Sequence, residues 1–173
     1  MPLGDFDSIE ALRDSADVMP AHPDPLREPD VLYEAYPLAI RIDTVRSVAS
    51  ILLDCRFCQP VPGNTAVLSV STSCSIEWAA PASISSGYFQ WTIASWNVDV
   101  SSAWMARAEL GWSGEGSITM RGRDALFVNG DVPGMDAAQP DFTTDSPRAI
   151  RQGLAAWDSP FTPMSFSRFS SNG

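Results

Sequence analysis

The sequence predicts a mainly β protein, an antiparallel β-sandwich or jelly roll of about eight strands. Its 173 residues suit one domain, and long stretches alternate between apolar and polar residues. Across residues 66–78 the even positions are mostly apolar and the odd positions are mostly serine, which is typical of a half-buried strand. The same alternation returns at residues 103–112. Two short helices complete the prediction, one near each end of the chain.

The first 36 residues are predicted to form an acidic, proline-rich arm. Residues 7–17 fit a short helix with a capping box at its start. Four prolines then follow within ten residues, namely Pro20, Pro23, Pro25 and Pro29. Because proline blocks helices and central strands, we expect residues 1 to about 30 to make few contacts with the sandwich domain, which spans residues 37–173.

Within that domain, short apolar stretches alternate with turn residues. The predicted strands cover residues 38–43, 45–57, 66–78, one or two segments of 88–100, and residues 103–112, 117–121, 125–128 and 161–169. The stretch 66–78 is longer than most strands, so we expect it to bend or to pass between two sheets. The glycines between residues 112 and 117 predict a hairpin.

In each stretch of alternating apolar and polar residues, which we call a stripe, the apolar positions are expected to face the core of the sandwich. The side chains expected in the core include Leu68, Val70, Ile76, Leu110 and Trp112. In the last strand, Met164 and Phe166 alternate with serines. Before it, Ser146 and Pro147 are a typical helix start, and the apolar spacing predicts that this helix continues until Pro160.

The charge of the chain limits its partners. The formal net charge is −10, and all eleven basic residues are arginine. Because nucleic-acid binding relies on basic surfaces, we expect no direct nucleic-acid binding, whereas an acidic surface suits a basic protein partner. We expect no signal peptide and no membrane span, because no basic start followed by an apolar stretch and no sufficiently long apolar run occurs in the sequence. A virion or the cytoplasm is the expected location, without membrane contact.

The three cysteines and the single histidine predict neither a metal site nor a redox site. Cys55 and Cys58 have redox spacing, but no helix pattern follows them. A zinc site would need both of them together with Cys74 and His22, and only one pair is suitably spaced. Cys74 lies on the apolar side of its stripe and is expected to be a small core residue.

No catalytic or cofactor-binding residues are predicted, and we expect the protein not to be an enzyme. Glu77, Asp99 and Glu109 would serve glycoside hydrolysis only if two of them faced one cleft. His22 lies in the proline-rich arm, where a rigid catalytic base is not expected. Residues 114–116 resemble a phosphate-binding loop only in their glycines, because they join two strands rather than open a helix.

Tryptophan provides the candidate interaction residues. The four that lie close together in sequence are Trp91, Trp96, Trp104 and Trp112. Such residues fill the core of a sandwich, form a subunit interface, or stack on sugar rings. The sequence leaves these alternatives open.

Residues 108–120, which read AELGWSGEGSITM, resemble a segment of picorna-like virus coat proteins. In that family an aromatic-ended strand runs into a short glycine turn and a return strand. The resemblance implies a jelly-roll capsid subunit, whose extended N-terminal arm ties neighbouring subunits together.

The leading hypothesis is therefore a structural, self-assembling β-sandwich protein, with a virus capsid or virion subunit as its specific form. Its partners would be copies of itself or homologous subunits in an oligomer. The alternative is a non-enzymatic binding module, either for carbohydrate or, as an acidic immunity-type protein, for a basic toxin.

Overall fold

Two β-sheets that enclose an apolar core confirm the predicted sandwich. The computed structural model describes residues 2–5, 18–80, 91–111, 116–135 and 138–171. The described strands number ten rather than eight. They are β1 (Met19–Pro20), β2 (Tyr36–Asp43), β3 (Val48–Asp54), β4 (Thr65–Ser71), β5 (Ser75–Ala79), β6 (Ile93–Asp99), β7 (Trp104–Leu110), β8 (Gly116–Gly122), β9 (Asp124–Asp131) and β10 (Thr162–Ser170).

The larger sheet has six strands in the order β1-β10-β9-β4-β3-β2, and the smaller has four in the order β5-β8-β7-β6. Neighbouring strands are antiparallel, except that β1 runs parallel to β10. The predicted hairpin corresponds to the antiparallel pair β7 and β8. Its turn, at residues 112–115, lies outside the described residues.

The long stripe passes between the two sheets, as predicted. β4 belongs to the larger sheet and β5 to the smaller. Between them Thr72 and Ser73 adopt positive φ angles of 56° and 58°, in the left-handed region of backbone conformation. The chain returns to the larger sheet between β8 and β9, beside the first crossing, where the Arg123 N–H donates to the Thr72 carbonyl at 3.0 Å.

A second apolar cluster covers the outer face of the larger sheet. The main core between the sheets includes Leu68, Val70 and Leu110, as expected. The second cluster packs Val67 and Val128 of the sheet against Leu3 and Phe161. β4 is consequently buried on both faces, and its predicted polar face does not meet solvent. Buried serines pair with each other there, as the 2.8 Å contact between the hydroxyls of Ser50 and Ser69 shows.

A buried ion pair lies at the end of β3. Asp54 is fully buried, and its carboxylate accepts hydrogen bonds from the Arg56 guanidinium, at 2.6 Å for the shortest contact. The Gln139 amide donates to the same carboxylate at 2.9 Å. Arg56 also donates to the Gly153 carbonyl at 3.1 Å. The pair therefore ties β3 to the loop and helix that cover the outer face.

The prediction of an arm separate from the core is wrong for residues 18–35. β1 adds to the larger sheet, and Leu26, Val31, Leu32 and Ala35 are buried in the main core. Apart from the two-residue strand β1, residues 18–35 form no regular helix or strand, as the proline density indicated. The prolines did not prevent irregular backbone from packing, because turns and backbone carbonyls satisfy its hydrogen bonds.

The two predicted helices have different outcomes. The N-terminal one, at residues 7–17, lies outside the described residues. The C-terminal one is present as α1 (Pro147–Gln152), with the Ser146 hydroxyl accepting from the Ala149 N–H at 3.2 Å. Its predicted continuation to Pro160 is wrong. It ends at Gly153, where a Cβ atom would lie 2.4 Å from the Pro140 ring.

The predicted full burial of Ile76 is wrong, and the alternation in β10 places its serines rather than Met164 inside. Ile76 is only half-buried, because β5 lies at the edge of its sheet. In β10 the serines at 165 and 167 face the protein interior, whereas Met164 is exposed. A register irregularity between Pro163 and Ser165 accompanies this inverted pattern.

Candidate functional site

The candidate site is the side of the sandwich formed by the edge strands β2 and β5, which carries exposed apolar side chains. Those that define this open side are Ile40, Ile42, Val45 and Trp78. Ile42 is 60% exposed and Trp78 is 44% exposed. A cavity of about 310 Å³ lies between the two edges, lined by Pro37, Leu38, Ala39, Ile40 and Trp78.

Strand register explains why these side chains are apolar yet exposed. Ile40 pairs with Ile51, and Ile42 pairs with Ala49. Directly opposed residues in a sheet share a face, so both isoleucines lie on the core side of β2. Trp78 is likewise opposite the buried Ile118. The six-stranded sheet is wider than the four-stranded one, so its inward face is not fully covered at this side.

At the opposite side of the sandwich, the larger sheet ends in the two-residue strand β1, and residues before β2 cover the edge of β6. β1 occupies the edge of β10. Along β6, the Asp30 N–H donates to the Trp96 carbonyl at 2.8 Å, and the Glu34 N–H donates to the Ile93 carbonyl at 3.0 Å. No described strand pairs with the outer edge of β2 or β5. A long apolar edge strand of this kind favours pairing with another chain.

The predicted tryptophan surface is not exposed. Trp91, Trp96 and Trp104 are buried in the main core, and Trp112 lies outside the described residues. The Trp96 indole N–H donates to the Pro25 carbonyl at 2.9 Å, and that of Trp104 donates to the Leu26 carbonyl at 3.0 Å. For these three residues the structure therefore favours the core alternative over an interface or a sugar platform.

Sequence reasoning did not single out Trp78. Its place on the apolar stripe predicted a core residue like its neighbours. Only the strand order, which puts β5 at a sheet edge, distinguishes it from Trp104 on the central strand β7. The exposed Ile42 was missed for the same reason.

A second concave surface lies beside β6. A cavity of about 490 Å³ is lined by Asp30, Tyr33, Glu34, Gln59, Pro60, Ala94 and Ser95. A neighbouring cavity of about 210 Å³ shares Tyr33, Glu34 and Ala94. Asp30 and Glu34 adopt positive φ angles of 57° and 65°, and neither has an ion-pair partner among the described residues. This acidic groove combines carboxylates with aromatic walls, which suits a cationic group.

The candidate catalytic carboxylates do not meet in a cleft. Glu77, Asp99 and Glu109 lie on three different strands of the smaller sheet. Hydrogen bonds from Ser101 hold the pKa of Asp99 below its usual value. Glu109 lies 4.0 Å from Arg107 on the exposed face. None of the three lines a cavity described above.

The cysteine pair is buried. Cys55 and Cys58 lie in a turn after β3, and the Cys58 thiol donates to the Val31 carbonyl at 3.0 Å. A hydrogen bond with Cys58 and burial raise the pKa of Cys55 well above its usual value. Cys74 is only partly buried, and its thiol contacts the Ser47 carbonyl at 3.2 Å. In the described part of the chain, no three His, Cys, Asp or Glu residues lie together in a way that suits a metal ion.

We expect Cys74 alone to react quickly with a thiol reagent. Reactivity requires an accessible thiolate. Burial keeps the reagent from Cys55 and Cys58, even though the hydrogen bond with Cys55 lowers the pKa of Cys58. Titration of the native protein with Ellman's reagent should give one fast thiol, and all three should react in urea. A Cys74→Ser variant should lose the fast phase. Fast reaction of either remaining thiol in that variant would show that the turn at Cys55 opens readily.

None of the described helices has the length and apolar character of a membrane span. Comparison with known proteins found no matching family model, no matching curated protein and no matching solved structure. The function must therefore be inferred from the open side and the acidic groove of this chain itself.

Proposed function

We propose that the protein is a structural, self-assembling β-sandwich protein whose subunits associate through the open side. The observation that carries the proposal is the apolar surface of Ile40, Ile42 and Trp78 on two edge strands, with Val45 in the turn after β2. Neither edge strand has a second strand neighbour among the described residues. Exposed apolar surface of this kind is unfavourable in water, and association that buries it contributes about 25 cal/mol per Å². Apolar patches on an otherwise polar surface typically mark interaction sites.

The specific form of the assembly is a separate part of the proposal. The resemblance of residues 108–120 to picorna-like virus coat proteins favours a shell-forming subunit in a virion. The distinction between a shell and a small oligomer is the size of the particle, which light scattering or electron microscopy of the purified protein measures directly.

Size-exclusion chromatography with light scattering tests the self-assembly. We expect the wild-type protein to form oligomers and Ile42→Glu to be monomeric, because the carboxylate would have to be buried without a partner. Val100→Glu is the matched control, since Val100 is also exposed but lies after β6, away from the open side. Val100→Glu should assemble like the wild type. High salt should change the assembly little, because apolar burial is not screened.

A strictly monomeric wild-type protein at every concentration would contradict self-assembly. It would favour the second candidate, a non-enzymatic binding module. The observation behind that candidate is the acidic groove, where Asp30 and Glu34 flank Tyr33 without an arginine partner in the described residues. Such a groove fits a basic protein segment better than a neutral sugar, because two carboxylates line it.

A further inference from the structure

We propose that two copies of the chain pair β2 with β2 in antiparallel orientation, about a two-fold axis at Ile42. This inference rests on the proposed self-assembly and specifies how the subunits meet. Antiparallel pairing of identical edge strands joins the two larger sheets into one continuous sheet. Each copy would supply the same residues to the interface.

The exposed part of β2 limits where pairing occurs. Residues 36–39 are half-buried, they include a register irregularity, and Pro37 has no N–H to donate. Residues Ile40, Arg41 and Ile42 are exposed, and Asp43 is partly so. Pairing is therefore expected along the C-terminal half of the strand.

Charge selects the register within that half. With Ile42 opposite Ile42 of the second copy, Arg41 lies opposite Asp43 of the second copy, and the same pair repeats across the axis. A register centred on Arg41 would instead place two arginines opposite each other, which is unfavourable. A register centred on Ile40 would place Asp43 opposite Pro37, in the irregular half of the strand.

Contacts within one chain hold Arg41 where this pairing needs it. Its guanidinium donates to the Gly4 carbonyl at 3.2 Å and lies 5.9 Å from the Trp157 ring, on the outer face of the sheet. Asp43 lies on that same face, two residues along the strand, where its carboxylate also accepts the N–H groups of Val45 and Arg46 at 3.0 Å each. Ile42 lies on the opposite face of the strand. The two opposed Ile42 side chains of the dimer would therefore enlarge the apolar surface to which Trp78 belongs. Apolar burial would stabilise the dimer, and the charges would set its register.

Disulfide trapping tests the register. In a Cys74→Ser background, single variants Ile42→Cys, Arg41→Cys and Ile40→Cys are oxidised with copper phenanthroline and separated on non-reducing gels. Opposed residues have Cα atoms about 4.5–5.5 Å apart, within the range of a disulfide, whereas diagonal neighbours lie at about 7–8 Å. We expect Ile42→Cys to cross-link at least about tenfold faster than the other two. Val100→Cys, exposed and away from the open side, controls for random collision.

The outcomes separate this inference from the proposed function. Dominant cross-linking at residue 41 or 40 would overturn the register. Oligomers whose β2 variants cross-link no faster than Val100→Cys would overturn strand pairing and leave assembly through other contacts of the open side. A protein that is monomeric by light scattering would overturn both. Melting temperatures of the variants show whether each one is folded.

Discussion

A variant that lacks residues 1–35 is expected to lose its cooperative unfolding transition. The segment places Leu26, Val31 and Leu32 in the main core, and burial of each such side chain contributes about 1.5–3 kcal/mol. Deletion also removes the backbone carbonyls that accept the indole N–H groups of Trp96 and Trp104. A buried donor without a partner costs about 1–3 kcal/mol. These losses are comparable to the whole stability of a typical domain, about 5–15 kcal/mol.

Circular dichroism during heating measures this effect. A graded series strengthens the test, because Leu26→Ala should cost about 2–5 kcal/mol while leaving the fold intact. Met19→Ala, an apolar truncation at a side chain that is 69% exposed, should change stability by less than about 0.5 kcal/mol. A truncated protein that melts cooperatively at the wild-type temperature would show that residues 18–35 are an independent arm after all.

Replacement of Arg56 by Met is expected to destabilise the protein by about 3–5 kcal/mol. The variant leaves the fully buried Asp54 carboxylate without its cation, and an uncompensated buried charge is costly. It also removes the hydrogen bond to the Gly153 carbonyl, which links β3 to the end of α1. Urea unfolding at neutral pH measures the free energy directly.

Arg107→Met is the matched control for Arg56→Met. Arg107 also faces a carboxylate, that of Glu109 at 4.0 Å, but its side chain is 55% exposed, whereas that of Arg56 is 9% exposed. Exposed pairs contribute about 0–1 kcal/mol, so this variant should unfold close to the wild type. Equal losses in the two variants would show that burial does not set the strength of the Asp54 pair.

Strand content was predictable because alternation is a local property. The stripe through β7 has the expected phase, with Trp104 and Leu110 inside and Arg107 outside. Alternation does not state what covers the second face of a strand. The serines of β4 were expected at a polar surface, yet Ser69 is buried because residues far away in sequence, such as Phe161, cover that face.

The candidate site could not be predicted for a related reason. Exposure of Ile42 and Trp78 depends on which strands end up at the sheet edges, and strand order is a long-range property. The clustered tryptophans were candidates for an exposed surface because of their sequence positions alone. Trp96 and Trp104 are instead buried, because the carbonyls of Pro25 and Leu26 accept their indole N–H groups. Proline density identified irregular backbone at residues 20–29, but it carries no information about whether such backbone packs.

The chain crosses between the two sheets at two adjacent points, and this affects how the protein tolerates insertions and deletions. Ser71 at the end of β4 is directly paired with Asp124 at the start of β9. The whole smaller sheet therefore lies in one continuous stretch of chain that leaves and rejoins the larger sheet at neighbouring positions. Insertions or deletions within that stretch need not alter the pairing of β4 with β9. Changes of loop length within residues 75–122 are therefore expected to leave the strand register of the larger sheet intact, provided that the core residues of β6, β7 and β8 are kept.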